Sequence, residues 1–346
     1  MEKRKLGKTD ISISKCSIGT MNFGLRDVSD NNPETLLDTA VDAGVNLIDT
    51  AEMYPSPSSC STYGISEKIL GKWLKRRNRE TVIIASKAAG PGAFVPWIRK
   101  GCSNHSLANL TDAVDGSLKR LKTDYIDLYQ LHWPDRATNF FGQLGYKKAS
   151  IELAFNIEET LEALAKLIQS GKIRAIGLCN ETAWGAMYFR KIAERNGLPL
   201  ISSIQNPYNL LNRTFEISLA EFALRENCGL ISYSPLAFGM LTGKYLEKAD
   251  EPDARLNKYT HYKKYKSLQA LSVTKKYLAL ARKWQIDPSH MALGWIMSKP
   301  FLTSVIIGAT NEQQLKHNLK SVDINICQEL EKAIDKIHLQ IPNPCP

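Results

Sequence analysis

The chain has 346 residues, 43% of them hydrophobic, with 45 Lys and Arg against 35 Asp and Glu for a net charge of +10. That length suits one α/β barrel of ~250 residues enlarged by insertions, so a single domain over residues 1–346 is expected. No apolar run approaches the ~20 residues needed to cross a bilayer, and the charged start MEKRKLGKTD leads into no apolar stretch, so neither a membrane association nor a secretory signal is expected.

Seven scattered cysteines with no C-x-x-C pair point to a reducing cytoplasm, and the absence of metal-ligand spacing argues against a metal site. The basic runs KWLKRRNR (72–79) and KYTHYKKYK (258–266) carry much of the charge. No helix-turn-helix, RNA-binding or OB signature accompanies them, so they read as solvated surface rather than as a nucleic-acid interface. A phosphorylated cofactor needs only a few such cations.

In chain order, a polar hairpin is expected over 2–13. Short apolar or β-branched runs suited to buried parallel strands follow at 16–20, 45–49, 82–86, 125–132, 173–178, 203–205, 230–233 and 304–307. Helical patterns alternate with them at 34–43, 66–75, 107–121, 157–170, 184–196, 215–226, 268–283 and 312–319, and two more fall at 289–297 and 328–338. Eight βα repeats predict a parallel sheet closed into a (β/α)8 TIM barrel, with the hairpin as an N-terminal cap. The long irregular stretches 88–106, 133–155 and 234–267 all follow strands and precede helices, whereas helix-to-strand connections are as short as Gly44 or Gly171–Lys172. Inserted length therefore gathers at the C-terminal ends of the strands, where barrel enzymes build their sites. No G-x-G-x-x-G follows the first strand, which disfavours a Rossmann crevice.

Four reactive groups fall at neighbouring strand ends: Asp49 with Tyr54 just beyond it (NLIDTAEMYP), Lys87 (VIIASK) and His132 (LYQLHWP). A free tyrosine, with pKa ~10, is a poor acid near neutrality. A nearby ammonium stabilises its phenolate, at ~1.4 kcal/mol per unit of lowering. Asp49 is expected to pair with Lys87 and hold it charged, and His132 to hydrogen-bond a carbonyl oxygen that Tyr54 protonates. Taken singly, each is more ordinary: a turn cap, a packed ring, a solvated lysine, a structural histidine. The combination on three consecutive strand ends carries the reading.

The segments NLIDTAEMY, IIASK, YIDLYQLHWP and GKIRAIGLCN resemble the signature stretches of aldo-keto reductases, and the resemblance spans essentially the whole chain. TNFFGQLGY, IQNPYNLLNRTFE and FGMLTGKYL resemble the bacterial Tas-type branch of that family. The resemblance implies a (β/α)8 barrel that binds NADPH in an extended conformation, with Tyr54 as proton donor and Asp49, Lys87 and His132 completing a catalytic tetrad. It implies reduction of a small aldehyde or ketone to the alcohol. The alternative is an NADPH-occupied regulatory or binding subunit with little turnover. Channel-associated subunits of the superfamily carry Asn where this chain has His132, which favours catalysis.

By the same resemblance, Thr20, Met21 and Asp49 contact the cofactor, with Met21 where many members have Trp. Asn180 and Gln205 hold the nicotinamide amide, preceded by Cys179 where Ser is common, and Tyr233 stacks on the ring. The loop Ser234, Pro235, Leu236, Ala237, Phe238, Gly239, Met240, Leu241, Thr242, Gly243 and Lys244 folds over the pyrophosphate. Gly308, Thr310, Gln314 and Asn318 contact the adenosine phosphate end at a helix N-terminus, and Arg255 or Lys244 approaches the 2′-phosphate. His317 stands where Glu often precedes that Asn. Trp97, Trp133, Phe140, Phe141 and Tyr146 supply candidate aromatic walls for the substrate.

Overall fold

The computed structural model describes residues 1–25, 32–146, 156–247, 254–259 and 264–346. Strands β1 (Lys3–Lys5) and β2 (Ser12–Ser14) pair antiparallel as the expected hairpin. Eight strands follow: β3 (Cys16–Gly19), β4 (Leu47–Asp49), β5 (Ile83–Ala88), β6 (Ile126–Leu131), β7 (Ile173–Cys179), β8 (Ile204–Pro207), β9 (Leu230–Tyr233) and β10 (Leu302–Ile307). They close into a barrel in the order β10-β3-β4-β5-β6-β7-β8-β9, every pairing parallel.

The helices are α1 (Pro33–Asp42), α2 (Ile65–Leu74), α3 (Leu107–Leu121), α4 (Ile157–Gln169), α5 (Ala183–Asn196), α6 (Leu219–Arg225), α7 (Lys244–Glu247), α8 (Arg255–Lys258), α9 (Leu268–Lys283), α10 (Pro288–Met297), α11 (Glu312–Leu319) and α12 (Gln328–Gln340). Local chemistry sets many of their starts. Asn32, Ser106, Asn156, Thr182, Ser267, Asp287 and Asn311 each accept a first-turn N–H, and prolines occupy the first position of α1 and α10. Gly197, at φ 64°, ends α5 in the left-handed conformation that a residue with a Cβ adopts at a cost. The helix expected over 215–226 is interrupted: a 3₁₀ turn, Thr214–Ile217, precedes α6, with Ser218 at φ −149° between them. Arg213 holds that turn by pairing with Glu216 at 2.8 Å and with Asp335 of α12 at 2.7 Å. The short α7 and α8 lie inside the stretch expected to be irregular.

Two apolar layers fill the molecule. One lies between the strands and the surrounding helices. The other sits inside the barrel, where Leu6, Ile11 and Ile13 of the hairpin pack on Leu47, Ala85, Leu128, Ala175, Ile231 and Ile306. The hairpin thus plugs the N-terminal end and leaves the opposite rim for the βα segments. Among the described residues, no helix is long and apolar enough to cross a membrane. Parts of the expected specificity loops, residues 147–155, 248–253 and 260–263, lie outside the described residues.

Candidate active site

Asp49 ends β4, Lys87 is the penultimate residue of β5 and His132 follows the last residue of β6. Adjacent strands bring the three side chains to one rim. Tyr54 returns to that rim through a turn in which its N–H donates to Ala51 O at 3.0 Å. Lys87 is fully buried, and its Nζ donates to Asp49 Oδ2 at 2.6 Å and to Thr50 O at 2.8 Å. Asp49 Oδ1 accepts from Gln205 Nε2 at 2.8 Å, so both carboxylate oxygens are engaged. A buried ion pair persists only when its remaining polar atoms are also satisfied, and this network meets that condition.

The Lys87 ammonium lies 4.9 Å from the centroid of the Tyr54 ring. The rings of Tyr54 and His132 meet edge-on, with centroids 5.7 Å apart and planes at 77°. Burial, assisted by the Lys87 charge, holds the His132 imidazole well below its usual pKa range, so the ring is neutral. His132 Nδ1 is buried with no hydrogen-bond partner among the described residues. The four sequence-derived groups therefore converge, with a cation beneath the phenol and a neutral imidazole beside it.

The rim opens into a cleft of about 1050 Å³, at the top of the ~300–1,000 Å³ range of ligand pockets. Met21, Asp49, Tyr54, His132, Asn180, Gln205 and Tyr233 line it. So do Ser234, Pro235, Leu236, Phe238, Gly239, Thr242, Lys244, Arg255, Gly308, Thr310, Gln314 and Asn318. Other expected contacts stand behind this wall. Thr20 is buried and donates its hydroxyl to Asp49 O at 3.1 Å. Ala237, Met240 and Leu241 are buried in the helix–strand core, while the left-handed kink between them in the 3₁₀ turn Ala237–Thr242, Phe238 at φ 55° and Gly239 at φ 91°, lines the cleft. Gly243, at φ 88°, closes that turn and does not line the cleft.

Three placements add detail. Tyr233 Oη donates to Asn180 Oδ1 at 2.6 Å, and Asn180 Nδ2 donates to His132 O at 2.8 Å. Both Gln205 N–H groups point inward, to Asp49 and to Gln130 Oε1 at 3.2 Å. Asn180 Nδ2 also donates to Cys179 Sγ at 3.2 Å, so Gln205 Oε1 and the second lone pair of Asn180 Oδ1 are what the pair offers, both acceptors. At the start of α11, the Thr310 N–H already donates to Gln314 Oε1 at 2.7 Å, so the two expected phosphate contacts are bonded to each other. Arg255, at the start of α8, donates to Asn22 Oδ1 and to Ser56 O at 3.4 Å, and its guanidinium lies 4.7 Å from the Phe238 ring centroid. It spans the cleft between two rim loops.

The aromatic wall differs from expectation. Phe94 and Phe141 line the cleft, Phe94 packing on Trp133 at 5.1 Å and on Phe141 at 6.4 Å. Trp133 is fully buried behind them and donates to Pro91 O at 2.8 Å, while Trp97 and Phe140 pack on the same small cluster. Tyr146 is 70% exposed. Loop side chains follow no period, so nothing in the linear pattern separated Phe94 from Trp97. Gln130 was missed although a signal existed: it lies two residues before His132 on β6, and alternation puts both on one face. Asn22, Ser56, Lys264, Tyr265, Asp287 and Ser289 also line the cleft and carried no such signal.

A second buried histidine gives a stability prediction. His105 is 2% exposed, neither ring nitrogen has a hydrogen-bond partner among the described residues, and burial, with Arg99 and Arg136 nearby, lowers its pKa to about 3. The unfolded chain binds this proton below pH ~6.5 while the folded chain does not. Stability is therefore expected to fall as pH drops through that window, by up to ~1.4 kcal/mol per pH unit for this one group. Urea midpoints measured from neutral pH downward should drop less steeply in His105→Gln than in the wild type; parallel curves would remove His105 as the cause.

A tyrosine over a buried lysine–aspartate pair at the rim of a parallel barrel marks a class, and the sequence comparison agrees with it: the chain belongs to the aldo/keto reductase family, whose model matches residues 15–338. Its members are oxidoreductases of small carbonyl compounds that use nicotinamide cofactors. The chain is similar to Protein tas of Escherichia coli (strain K12), 41% identical over 347 residues and covering 100% of both chains. It is 30% identical over 342 residues to the NADH-specific methylglyoxal reductase of the same organism, covering 94% of this chain and 95% of that one. With the versiconal hemiacetal acetate reductase of Aspergillus parasiticus it shares 28% identity over 352 residues, 95% and 94% of the two chains.

Proposed function

We propose that this protein reduces an aldehyde or ketone to the alcohol with NADPH, and that Tyr54 supplies the proton. The observation that carries this reading is the fully buried Lys87, paired with Asp49 at 2.6 Å and lying 4.9 Å from the Tyr54 ring centroid.

The cofactor fits the residues present. Gln205 Oε1 and Asn180 Oδ1 each keep an acceptor lone pair, partners for the N–H groups of a carboxamide. An added Cβ on Gly308 would meet nothing within 4 Å, so the backbone there is open to close approach by a ligand. Lys244 and Arg255 bring two cations to the cleft wall. When bound, NADPH would supply the hydride for the carbonyl carbon. The protein does the rest. His132, neutral, donates a hydrogen bond to the carbonyl oxygen and orients it. Tyr54 gives its phenolic proton to the same oxygen, and the Lys87 ammonium stabilises the phenolate left behind. Asp49 keeps Lys87 in place, and Phe94 and Phe141 give the substrate end an apolar wall.

Reduction of a broad aldehyde and ketone panel by the purified protein with NADPH tests the reading; no turnover of any member would sink it. Cofactor choice is tested separately, since one similar protein is described as NADH-specific. Lys244→Glu is expected to raise the NADPH dissociation constant by ~10-fold or more, the ~1.5–3 kcal/mol of a hydrogen bond to a charged group. NADH binding should stay near the wild-type value. Equal effects on both, by tryptophan fluorescence titration, would remove the 2′-phosphate role of Lys244.

A further inference from the structure

Asp287, His290 and His317 meet where α10 and α11 start and end beside the cleft. Their ligand-capable atoms all lie within 4.8 Å of one another. Asp287 and His317 line the cleft wall. We infer that these three side chains form a binding site for one divalent transition-metal ion of the zinc type, beside the Gln314 and Asn318 end of the cleft.

Asp287 is held in place by the helix it caps: its Oδ1 accepts from the N–H of Ser289 at 2.8 Å and of His290 at 3.2 Å. His317 Nε2 stands 3.2 Å from the same oxygen. Two ligands bound to one ion at ~2.0–2.2 Å are ~2.9–3.5 Å apart for angles between octahedral and tetrahedral, so this pair already has the spacing of a coordination edge. His290 Nε2 lies 2.7 Å from His317 O. A carbonyl only accepts, so the proton sits on Nε2 and the lone pair on Nδ1. The His290 and His317 rings stack with centroids 4.3 Å apart, so His290 exchanges its bond to His317 O for the shared ion by turning its ring. Asp287 and His290 are half-buried and His317 is exposed, which leaves room for that rotation.

The donor set selects the ion. Two imidazoles and one carboxylate suit zinc, nickel or copper and not magnesium or calcium, which take oxygen ligands. Three protein ligands leave a position open, and the wall that Asp287 and His317 share turns it towards the cleft. Linear spacing hid the site, because His317 is 27 residues beyond His290.

Calorimetric titration of the full chain with Zn²⁺ in a weakly coordinating buffer tests the inference. One equivalent should bind, and His290→Ala and His317→Ala should each weaken it at least ~10-fold. Asp287→Asn should weaken it as well, and it keeps the cap of α10, so a loss there is not a loss of folding. Substituted Co²⁺ should show d–d bands without a thiolate charge-transfer band. Absence of stoichiometric binding, affinity unchanged in all three variants, or a thiolate band placing the ion on an exposed cysteine such as Cys60 or Cys102 would each overturn the site. NADPH binding and turnover are read independently, so failure here leaves the proposed reaction standing.

Discussion

Tyr54→Phe is expected to lose ~10²–10⁴-fold in kcat for carbonyl reduction, the usual contribution of a positioned general acid, while binding NADPH as tightly as the wild type. The substitution deletes one oxygen and keeps the ring. The ring is what packs edge-on against His132 at 5.7 Å and lies over Lys87 at 4.9 Å, so the fold and the cofactor cleft are retained. Steady-state kinetics beside a fluorescence binding curve separate the two quantities. A variant within a few-fold of wild-type kcat would move the proton donor elsewhere, with His132, 6% exposed and lining the same cleft, as the next candidate. A wild type that binds NADPH and reduces nothing would instead favour the regulatory subunit set out as the alternative.

Lys87→Met is expected to destabilise the protein by ~3–5 kcal/mol and to abolish most of the activity, because it leaves the Asp49 carboxylate buried without its cation. Asp49 is 3% exposed, and its remaining partners, Gln205 and, more distantly, Gln130, are neutral amides. Neutralising both partners should separate stability from chemistry. In Lys87→Met/Asp49→Asn no charge is buried unpaired, so most of the lost stability should return while activity stays low. Chemical denaturation of the wild type, the single variant and the double variant measures this. A single variant within ~1 kcal/mol of wild type would show that water reaches Asp49, and the buried pair would lose its assigned role.

Several of these expectations were legible residue by residue. Asp49, Lys87 and His132 each sit at or beside the last residue of a run whose β-branched and apolar character marks a buried strand, and strand ends are the best-defined points of a βα repeat. The barrel was legible too, because all the long segments fall on one kind of connection. The break at Ser218 was not, since Arg213 reaches Glu216 and the distant Asp335 to hold the preceding turn. Neither was the engagement of Thr310 with Gln314, which competes locally for the amide that a helix start offers to a phosphate.

The sequence alone therefore determined the element order, the parallel barrel, the rim that carries the site and the chemical types of four groups there. Those follow from periodicity and composition, which are local and repeat along the chain. Tertiary structure decided the rest. It set Tyr54 above Lys87, turned Phe94 rather than Trp97 into the cleft, folded Met240 and Leu241 into the core, and stretched Arg255 across to Asn22. It also brought His317 to Asp287. The reason is physical: in irregular segments side-chain direction follows no period, and is chosen only when each loop finds the neighbours it can pack against and bond to.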